Sequence, residues 1–570
     1  MRLKSIAFVL VLPFICSCGG NKDARTAYAA SEETLVPVWE IGRKGPAVIA
    51  DSIPRGSRML IFPELGKKTD GVRFAYVKSG RRGWYVRESD LEDSLKTAVR
   101  EKEVFIQTGA SLIDDTLSSH ISGFAPKGKK YTVLDYDRIL PDGTVNRYKL
   151  DDGKKGAWIY GKYTVLTAEE AALRYDKFDD AHKAVKNSFK GGEATGCEFR
   201  PYAKPDFGKM PSPCNAFYLT ISPLGLKKID EYIALADSTN INAFVIDIKD
   251  NECPGFKADA MLKHSPTNYK WAGSTKEALY KEAVGKLHAK GYYVIGRITC
   301  FKDSYYAKDH PEDAIREKTT GQPFLHNKSY WPSAYSRSVW QFNVELAKEA
   351  VRKFGLDEVN FDYVRFPDKM ISIDEQMDYR NRYGESKVQA IQNFVRYACD
   401  ELHSLGVPVS IDVFGESANP GYTTAYGQYW PAISTIADVI CAMPYPDHFA
   451  DHYYGISKPW NHPYEILKAW GKRVMGRQEI TASPAIVRTW IQAYHVMRWV
   501  DRNGLDNDPS FIEKEIRGLY DSGLTGGYIT WLASGNIDIY RYQKEAYRLD
   551  YTTLPPIDST NSFIFTPSGL

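Results

Sequence analysis

The sequence predicts an α/β protein in which a C-terminal (β/α)8 TIM barrel follows two small all-β domains. The 570 residues exceed one ordinary domain of roughly 100–200 residues. Residues 34–165 have short alternating apolar runs separated by Gly, Pro and Asp, which is typical of antiparallel β-domains. From residue 214 to about 550, apolar strand-length runs alternate with amphipathic helical stretches, which indicates βα units on a parallel sheet. A doubly wound open sheet is the alternative, but it rarely needs eight such units.

The predicted boundaries divide the chain into six parts. They are a signal peptide at 1–17, β-domains at 34–95 and 100–165, a helix and linker at 166–213, the barrel at 214–550 and a tail at 551–570. The eight predicted barrel strands are 216–221, 243–248, 292–301, 358–364, 408–414, 438–445, 482–488 and 527–532. Helices predicted between them include 226–239, 275–290, 338–355, 387–405 and 509–522, and another is predicted at 168–190 in the linker.

Composition and charge narrow the class of partner. Hydrophobic residues make up 43% of the chain and charged residues 25%, and 74 Lys and Arg nearly balance 71 Asp and Glu, which is typical of a globular protein. This balance leaves no basic excess for a polyanion, so we expect no nucleic-acid partner. The cysteines contain no C-x-x-C pair beyond the N-terminus, which excludes a zinc ribbon or a thioredoxin-like motif. A disulfide between Cys197 and Cys214 is the first pairing to test.

The N-terminus has the pattern of an export signal. Two basic residues precede an apolar run of 11 residues at 6–16, which is too short for a permanent membrane helix. The run closes on ICSC at 15–18, which resembles the lipobox of bacterial lipoproteins, whose signal is cut before a cysteine that then receives lipid. We therefore expect a lipid anchor at Cys18 and a place in the cell envelope, at the outer membrane and facing the periplasm or the surface. An ordinary secretory signal is the alternative.

The two β-domains share a repeated ending. DGV at 70–72 leads to RRGWYV at 81–86, and DGTV at 142–145 leads to KKGAWIY at 154–160, so each copy ends on a strand with basic residues, Gly and Trp. These copies resemble bacterial SH3-like modules, whose last strands carry Gly-Trp followed by an apolar residue. The resemblance implies binding of cell-wall peptide or glycan. A spacer that holds the next domain away from the membrane is the alternative.

Polar residues cluster where the predicted barrel strands end, which is the working face of a TIM barrel. Alternation turns Asn360 and Asp362 of strand four into the barrel, and the same parity turns Asp412 of strand five inward, with Glu416 at the rim. For any single carboxylate, a structural ion pair is the alternative. Together they have the arrangement that cleaves a glycosidic bond, with one protonated donor and one ionised nucleophile or base. The remaining strand-end residues are Asp247, Lys249, Asp250, Arg297, Asp303, Tyr445, Asp447, His448, Arg488, Trp490, Gln492, Trp531 and Asn536.

The loops after strands three and six are long and rich in aromatic residues, which suits stacking of sugar rings, although about half of them are expected only to cover the barrel. The residues are Tyr305, Tyr306, Phe324, Tyr330, Trp331, Tyr335, Phe449, Tyr453, Tyr454, Trp460 and Tyr464. His448, His452 and His462 invite an interpretation as metal ligands, but no H-E-x-x-H or comparable spacing supports it. We therefore predict no metal and no cofactor. A metal-dependent deacetylase that uses His448 and His452 stays as an alternative.

Six blocks of sequence resemble a bacterial glycoside hydrolase family of TIM barrels that is related by fold to the α-amylase-type barrels. The blocks are VIDIKD at 245–250, YVIGRI at 293–298, FKD at 301–303, FDYVRFP at 361–367, DVFG at 412–415 and MPYPDH at 443–448. The match runs over about 320 residues, and FDYVRFP is its most specific part. The resemblance implies a carbohydrate-active enzyme whose acidic residues are Asp250, Asp362, Asp412 and Glu416. The chain departs from the amylases by having Asn360, not Arg, two residues before Asp362, and by lacking their His-Asp pair on strand seven.

These observations predict an envelope-anchored glycoside hydrolase that cleaves a polysaccharide by paired-carboxylate catalysis. Asp362 is the expected nucleophile or base and Glu416 the expected proton donor, with Asp412 as its substitute. The residues expected to bind or orient the substrate are Asp250, Arg297, Asp303, Tyr445, His448, Gln492 and Trp531. The alternative is a non-catalytic lipoprotein that binds glycan or peptidoglycan and has an inert barrel.

Overall fold

A computed structural model of the chain describes residues 24–42, 45–79, 82–116, 120–175, 179–183, 191–221, 223–274, 276–421 and 423–557. The predicted signal peptide, Cys18 and most of the predicted tail lie outside these residues. The chain divides into two compact units, one of residues 1–107 with 127–171 and the other of residues 108–126 with 172–570. Within the described residues, no helix is long and apolar enough to cross a membrane.

The first unit begins with an antiparallel sheet. Its strands are Arg25–Ala29, Leu35–Ile41, Ala47–Pro54, Arg58–Thr69, Val72–Ser79, Arg82–Arg87 and Leu91–Glu92. In space they follow the order third, second, sixth, fifth, fourth, first and seventh. Alternate residues of these strands point inward, and Trp84 of the predicted Gly-Trp strand packs against the resulting core.

A second antiparallel sheet follows. Its strands in the first unit lie in the spatial order Ala157–Tyr160, Arg147–Leu150, Lys130–Tyr136, Glu103–Ile106 and Thr164–Val165. The hairpin of Ala110–Ile113 and Ile121–Ala125 belongs to the second unit. The two predicted β-regions are therefore antiparallel, while their identity as SH3-like modules stays a prediction.

The two β-regions of the first unit are joined by a buried ion pair. Arg55, in the turn before Arg58–Thr69, binds Glu101, and both side chains are at most 2% exposed. The hydroxyl of Tyr148 donates to the same carboxylate at 2.7 Å, and Arg55 Nε donates to the carbonyl of Gly143 at 3.1 Å. Because buried charges are stable only when they are paired, this network fixes one β-region against the other.

The second unit contains a nearly closed barrel of parallel strands. Barrel strands one to six are Cys214–Leu219, Ala243–Asp250, Tyr293–Thr299, Glu358–Asp362, Val409–Phe414 and Val439–Met443; strand seven is Ile486–Val487 with Thr489–Gln492, and strand eight is Gly527–Trp531. These nine segments occupy eight positions, because only Arg488 separates the two halves of strand seven. The first half pairs with strand six and the second half with strand eight. The sequence analysis placed the parallel barrel correctly.

The position predicted for strand seven, 482–488, is wrong. The strand begins at Ile486 and continues to Gln492. Pro484 lies in the predicted segment, and its missing N–H prevents it from donating to a central ladder. As a result, Trp490 and Gln492 end the strand, and Arg488 lies within it.

Helices follow each barrel strand and cover the outside of the barrel. They are Pro223–Lys227, Ile229–Ala236, Asp259–His264, Pro266–Trp271, Lys276–Ala289, Ser304–Asp309, Arg337–Phe354, Lys387–His403, Trp430–Ser434, Pro463–Glu479, Pro509–Asp521, Ile537–Tyr542 and Lys544–Tyr547. Local sequence sets their ends. Ser386 and Gln389 form a capping box before Lys387–His403, and Gly355 ends Arg337–Phe354 with a φ of 73°, which glycine adopts without strain.

The linker region differs from the prediction in two respects. The helix predicted at 168–190 is described as two short helices, Ala168–Ala172 and Asp179–Lys183. Cys197 and Cys214 are both free thiols, so the suggested disulfide is absent. Cys214 lies in the barrel interior, whereas Cys197 packs beside a cluster that includes Phe199 and Val388, and these are separate cores.

Candidate active site

Several carboxylates at the C-terminal end of the barrel contact one guanidinium. Arg297 of strand three is 2% exposed. Its Nη1 lies 2.6 Å from Asp247 and 3.3 Å from Asp250, while Nη2 and Nε lie 2.5 Å and 3.2 Å from the same oxygen of Asp362. Such charge-assisted bonds fix geometry as well as charge. Asp250, Arg297 and Asp362, predicted from separate strands, therefore meet at one point.

Asp412 lies beside Asp362. The residues just before them pair in register, Phe361 with Ile411, so the two carboxyls stand level on neighbouring strands. The Oδ2 atoms of Asp362 and Asp412 lie 3.2 Å and 3.9 Å from Arg297 Nε, so these oxygens are at most 7.1 Å apart. This bound admits the separation of about 5 Å found in retaining glycosidases and excludes most of the inverting range of roughly 6.5–9.5 Å.

The two oxygens of Asp412 have different surroundings. Oδ1 accepts hydrogen bonds of 2.8 Å from Asn360 and 2.8 Å from the indole of Trp490. Oδ2 is buried and has no hydrogen-bond partner among the described residues. A buried oxygen in this state is costly when charged, and it is available to carry a proton.

Burial raises the pKa of two carboxyls in this cluster. Burial, reinforced by the nearby charge of Asp362, raises the pKa of Asp412 well above its usual range. Burial also raises the pKa of Asp247 to about 6, although Arg297 opposes this effect. Four carboxyls around one guanidinium cannot all ionise cheaply in a low-dielectric interior. The cluster therefore pairs Asp412, whose pKa is raised, with Asp362, which Arg297 binds directly.

The backbone after Asp362 adopts a strained conformation. Tyr363 has a φ of 52°, in the left-handed region, and its N–H donates to Asp362 Oδ1 at 2.5 Å. A non-glycine residue held in this region costs of order 1 kcal/mol or more and is typical of functional sites. Both oxygens of Asp362 are thereby fixed by donors.

Arg365 connects strand four with Glu416. Its guanidinium lies 4.6 Å from the ring centroid of Phe414 and 5.8 Å from that of Tyr426. The hydroxyl of Tyr426 donates to Glu416, which is exposed at the rim as predicted. Glu416 is therefore an exposed carboxylate that is oriented by a tyrosine hydroxyl.

Strands six and seven contribute a histidine with an orienting carboxylate. His448 Nδ1 lies 2.8 Å from Asp447, whose side chain is buried while that of His448 is 51% exposed. Gln492 is fully buried, and its side chain accepts from the backbone N–H of Asp447 at 3.1 Å. Gln492 therefore supports the loop that carries His448.

Tyr445 and Trp531 lie beside the carboxylates. Tyr445 is buried, and its ring packs 5.2 Å from that of His448. Burial and the charges of Asp412 and Asp362 raise the pKa of Tyr445. Trp531 is half-buried, with its ring 5.4 Å from the guanidinium of Arg297. Of the two, only Trp531 has an exposed part.

Asp303 lies outside the Arg297 cluster. It forms an ion pair of 2.9 Å with Lys249, and neither side chain is exposed. It also accepts from Asn268 at 3.1 Å and caps the helix Ser304–Asp309 through the N–H of Tyr306 at 2.9 Å. Asp303 therefore has the contacts of a structural residue.

Arg488 was expected on the working face, but its guanidinium lies deep in the barrel. It binds Glu358, the first residue of strand four, at 2.7 Å, and both side chains are fully buried. The difference follows from the shift of strand seven, because Arg488 interrupts that strand instead of ending it. Asn536 caps the helix Ile537–Tyr542 through the N–H of Asp538.

About half of the predicted aromatic loop residues are available to a ligand. Tyr306, Trp331, Tyr335, Trp460 and Tyr464 are buried, whereas Tyr305, Phe324, Tyr330, Phe449, Tyr453 and Tyr454 are half-buried. Sequence reasoning missed Tyr494, whose hydroxyl donates to Asp447 at 2.9 Å, and Glu515, which accepts from the N–H of Gln492 at 3.0 Å. An acid on the buried face of an amphipathic helix was the available signal for Glu515.

The histidines considered for a metal are not brought together. Within the described part of the chain, the groups with donor atoms close enough for one ion are Cys399 with His403 and Asp438, and His310 with Glu312 and Asp313. Neither contains His448 or His452, and the side chain of His452 is 71% exposed beside Asp451. The geometry gives no support to the deacetylase alternative.

A parallel barrel with carboxylates at its C-terminal end belongs to the class of TIM-barrel proteins, whose active sites lie at that end. Residues 216–537, more than half of the chain, match the family described as "Putative glycosyl hydrolase domain". The chain therefore belongs to this family. This agrees with the resemblance drawn from the sequence blocks.

Solved structures with similarity to this chain come from several bacteria. A hypothetical protein from Ruminiclostridium thermocellum ATCC 27405 is 32% identical over 35% of this chain and 97% of its own, with a TM-score of 0.29. The PgaB (BpsB) glycoside hydrolase domain from Bordetella bronchiseptica is 12% identical over 60% of this chain and 100% of its own, with a TM-score of 0.41. Flavobacterium johnsoniae chitobiase is 11% identical over 60% of this chain and 48% of its own, with a TM-score of 0.39. Comparison with curated protein sequences gives no match.

Proposed function

We propose that this protein is a glycoside hydrolase that cleaves a polysaccharide, with Asp362 and Asp412 as its working carboxyls. The observation that carries the proposal is the asymmetry of this pair. Arg297 and the N–H of Tyr363 bind both oxygens of Asp362, while burial and the nearby charge of Asp362 raise the pKa of Asp412. Glycosidic cleavage needs one carboxylate and one carboxylic acid at the scissile bond.

The geometry supports a retaining reaction. Asp362 attacks the anomeric carbon as the glycosidic C–O bond breaks, and Asp412 transfers its Oδ2 proton to the leaving oxygen. A water molecule then attacks the glycosyl ester and gives its proton to Asp412, which frees Asp362. This assignment moves the proton donor from Glu416 to Asp412, because Glu416 is exposed and accepts the Tyr426 hydroxyl.

The remaining predicted residues fall into two groups. Asp250, Glu416, His448 and Trp531 are half-buried or exposed near the carboxylates, and they contact the substrate, whereas Tyr445 is buried and supports His448 by ring packing. Arg297, Gln492 and Asp303 are buried and act by holding Asp362, the Asp447 loop and the first turn of Ser304–Asp309.

The proposal includes the cell envelope as the place of action. The lipobox-like ICSC at 15–18 supports a lipid anchor at Cys18, and the repeated β-regions serve as a wall-binding element or a spacer. A non-catalytic glycan-binding lipoprotein is the second candidate, since a fold does not by itself determine activity.

The test is product release from a panel of bacterial, plant and host polysaccharides by the protein and its Asp362→Asn variant. We expect hydrolysis by the wild type and its loss in the variant, with an unchanged unfolding transition. Glu545→Gln, an exposed carboxylate on the last barrel helix, is the matched control and should hydrolyse normally. Glycan binding without turnover in the wild type would instead establish the second candidate.

The stereochemical prediction has its own measurement. Proton NMR of the first products should show the anomeric configuration of the substrate. Inverted products would place a water between the two carboxyls and would contradict Asp362 as nucleophile.

A further inference from the structure

An exposed aromatic pair lies on the rim beside strands two and three. Trp271 is 60% exposed, and its ring stacks on that of Tyr305 with centroids 6.4 Å apart and planes at 20°. Two flat rings held side by side at the surface form a face on which a sugar ring can stack. We define the rim platform as Trp271, Tyr305, Lys270 and Lys308.

The two lysines give the rim platform a positive charge. Lys270 Nζ lies 5.6 Å from the ring centroid of Trp271, and Lys308 Nζ lies 5.8 Å from that of Tyr305. Among the described residues, neither ammonium has a carboxylate within 4 Å. Both charges therefore stay available to an anion.

The two helices that carry the rim platform are joined by hydrogen bonds. Asp309, at the end of Ser304–Asp309, accepts from the hydroxyl of Ser265 at 2.8 Å and from the N–H of Thr267 at 2.9 Å. These bonds join the helix that carries Tyr305 to the start of the helix that carries Trp271. A preorganised surface of this kind loses little entropy when it binds a ligand.

A continuous set of contacts connects the rim platform with the carboxylates. Ser304, next to Tyr305, donates to Glu252 at 2.7 Å, and Glu252 follows the end of strand two, where Asp250 binds Arg297. Lys302 lies between the two regions, with its Nζ 5.3 Å from the ring centroid of Tyr363. This third ammonium also has no carboxylate within 4 Å among the described residues, although its charge helps to lower the pKa of Glu252. Cations thus extend from the rim to the residue after Asp362.

We propose that the rim platform binds a sugar unit that bears a carboxylate or a sulfate ester, so that the polysaccharide cleaved at Asp362 is anionic. The sugar ring stacks on Trp271 and Tyr305, and its anionic group is bound by Lys270 and Lys308. This inference rests on the proposed function for the cleavage step only. Binding at the rim platform is independent of turnover.

The test uses one backbone in three forms, namely dextran, carboxymethyl dextran and dextran sulfate, with binding measured by calorimetry at low salt. We expect the anionic forms to bind at least about tenfold more tightly than dextran, a difference of about 1.4 kcal/mol. Added salt should weaken this binding because it screens exposed charges. A preference for the carboxymethyl form indicates a uronate-type substrate, and a preference for the sulfate form indicates a sulfated one.

Two variants and one control locate the site. Lys270→Gln with Lys308→Gln, and separately Trp271→Ala, should each weaken binding of the preferred anionic form by about tenfold. Lys472→Gln with Lys514→Gln removes the same charge from exposed positions on Pro463–Glu479 and Pro509–Asp521 and should leave the affinity unchanged. Equal binding of all three dextrans, or equal loss in the control, overturns the inference.

The two proposals fail separately. If hydrolysis depends on Asp362 but binding shows no preference for anionic dextrans, the proposed role of the rim platform is contradicted and the proposed hydrolase activity is supported. If anionic dextrans bind preferentially through Trp271 and the lysines but no polysaccharide is hydrolysed, the proposed hydrolase activity is contradicted and the proposed role of the rim platform is supported.

Discussion

Two arginines inside the same barrel have opposite surroundings. Arg297, near the C-terminal ends of the strands, faces four carboxyls within 4 Å. Arg488, deeper in the barrel, faces only Glu358, and its Nε and Nη2 are buried without partners among the described residues. One end of the barrel therefore has too many acids for its cation, and the other has too few acceptors.

This difference separates a site from a structural pair. At Arg488 the charges cancel, so the pair can persist without exchanging a proton. At Arg297, burial and the excess of acids raise the pKa of one carboxyl, Asp412, well above its usual range. Raised pKa values that arise from burial and a like charge are typical of catalytic carboxyls. The surplus of acids is thus the more informative feature, since either arginine alone would resemble a structural ion pair.

The largest expected effect follows from Arg297→Gln. Because this change removes the cation that holds Asp362, kcat/KM for polysaccharide should fall by roughly 1,000-fold or more. Steady-state kinetics on protein with a native circular dichroism spectrum checks it. A variant that keeps normal kcat/KM would show that the carboxyls work without the guanidinium.

The corresponding change deep in the barrel should affect folding instead. Arg488→Met leaves Glu358 buried without its cation and should lower the free energy of unfolding by about 3–5 kcal/mol. Denaturant unfolding measures this loss, and the folded fraction should keep its kcat/KM. The double variant Arg488→Met with Glu358→Leu should recover most of the stability, and a continued loss would contradict a purely structural pair.

Asp412→Asn should lower the activity and raise the stability relative to the wild type as pH increases. Turnover of polysaccharide should fall about 100-fold, since the proton donor is removed, whereas an aryl glycoside with a good leaving group should lose less. The folded-state pKa of Asp412 is raised, so its stabilising contribution is complete below an unfolded pKa of about 3.9 and is lost as pH rises toward the folded value. The variant lacks this loss, so its relative stability should grow by about 1 kcal/mol or more as pH rises above about 4.

Glu416→Gln is the matched comparison for the proton donor. If Glu416 only orients the substrate, its loss should lower kcat/KM by less than about tenfold, with no dependence on the leaving group. A dependence on the leaving group in Glu416→Gln, and none in Asp412→Asn, would return the donor role to Glu416.

The smallest effect is expected for Glu515→Gln. Burial raises the pKa of Glu515 well above its usual range, and its Oε2 has no partner among the described residues. Stability should therefore fall as pH rises from an unfolded pKa of about 4.3, and the variant should lose about 1 kcal/mol of this dependence. Thermal unfolding between pH 4 and 8 measures it. Unchanged pH dependence would mean that Glu515 ionises in the folded protein.

The barrel and the centre of the site were predictable because their signals are local. Strand period two turned Asp362 and Asp412 inward, and their position at strand ends placed them on the working face. The departure noted at Asn360 is resolved by a neighbouring strand, since Arg297 supplies the guanidinium that binds Asp362. No spacing within strand four could reveal that partner.

Other features depend on distances that no sequence pattern contains. Asp303 and Asp250 both follow barrel strands and look equivalent in sequence, yet one is a fully buried cap paired with Lys249 and the other reaches Arg297. The position of strand seven was misjudged because apolar content outweighed the missing N–H of Pro484. Glu515 reaches the Asp447 loop only through Gln492, a contact between a helix and a strand.

The buried pair of Arg55 and Glu101 determines how the two β-regions move. Neither charge can be separated from its partner without a large desolvation cost. The two β-regions of the first unit should therefore reorient together in solution and not independently. Ligand sites on them would keep a constant spacing and orientation. Any wall polymer that binds both regions at once would need binding groups at that same spacing.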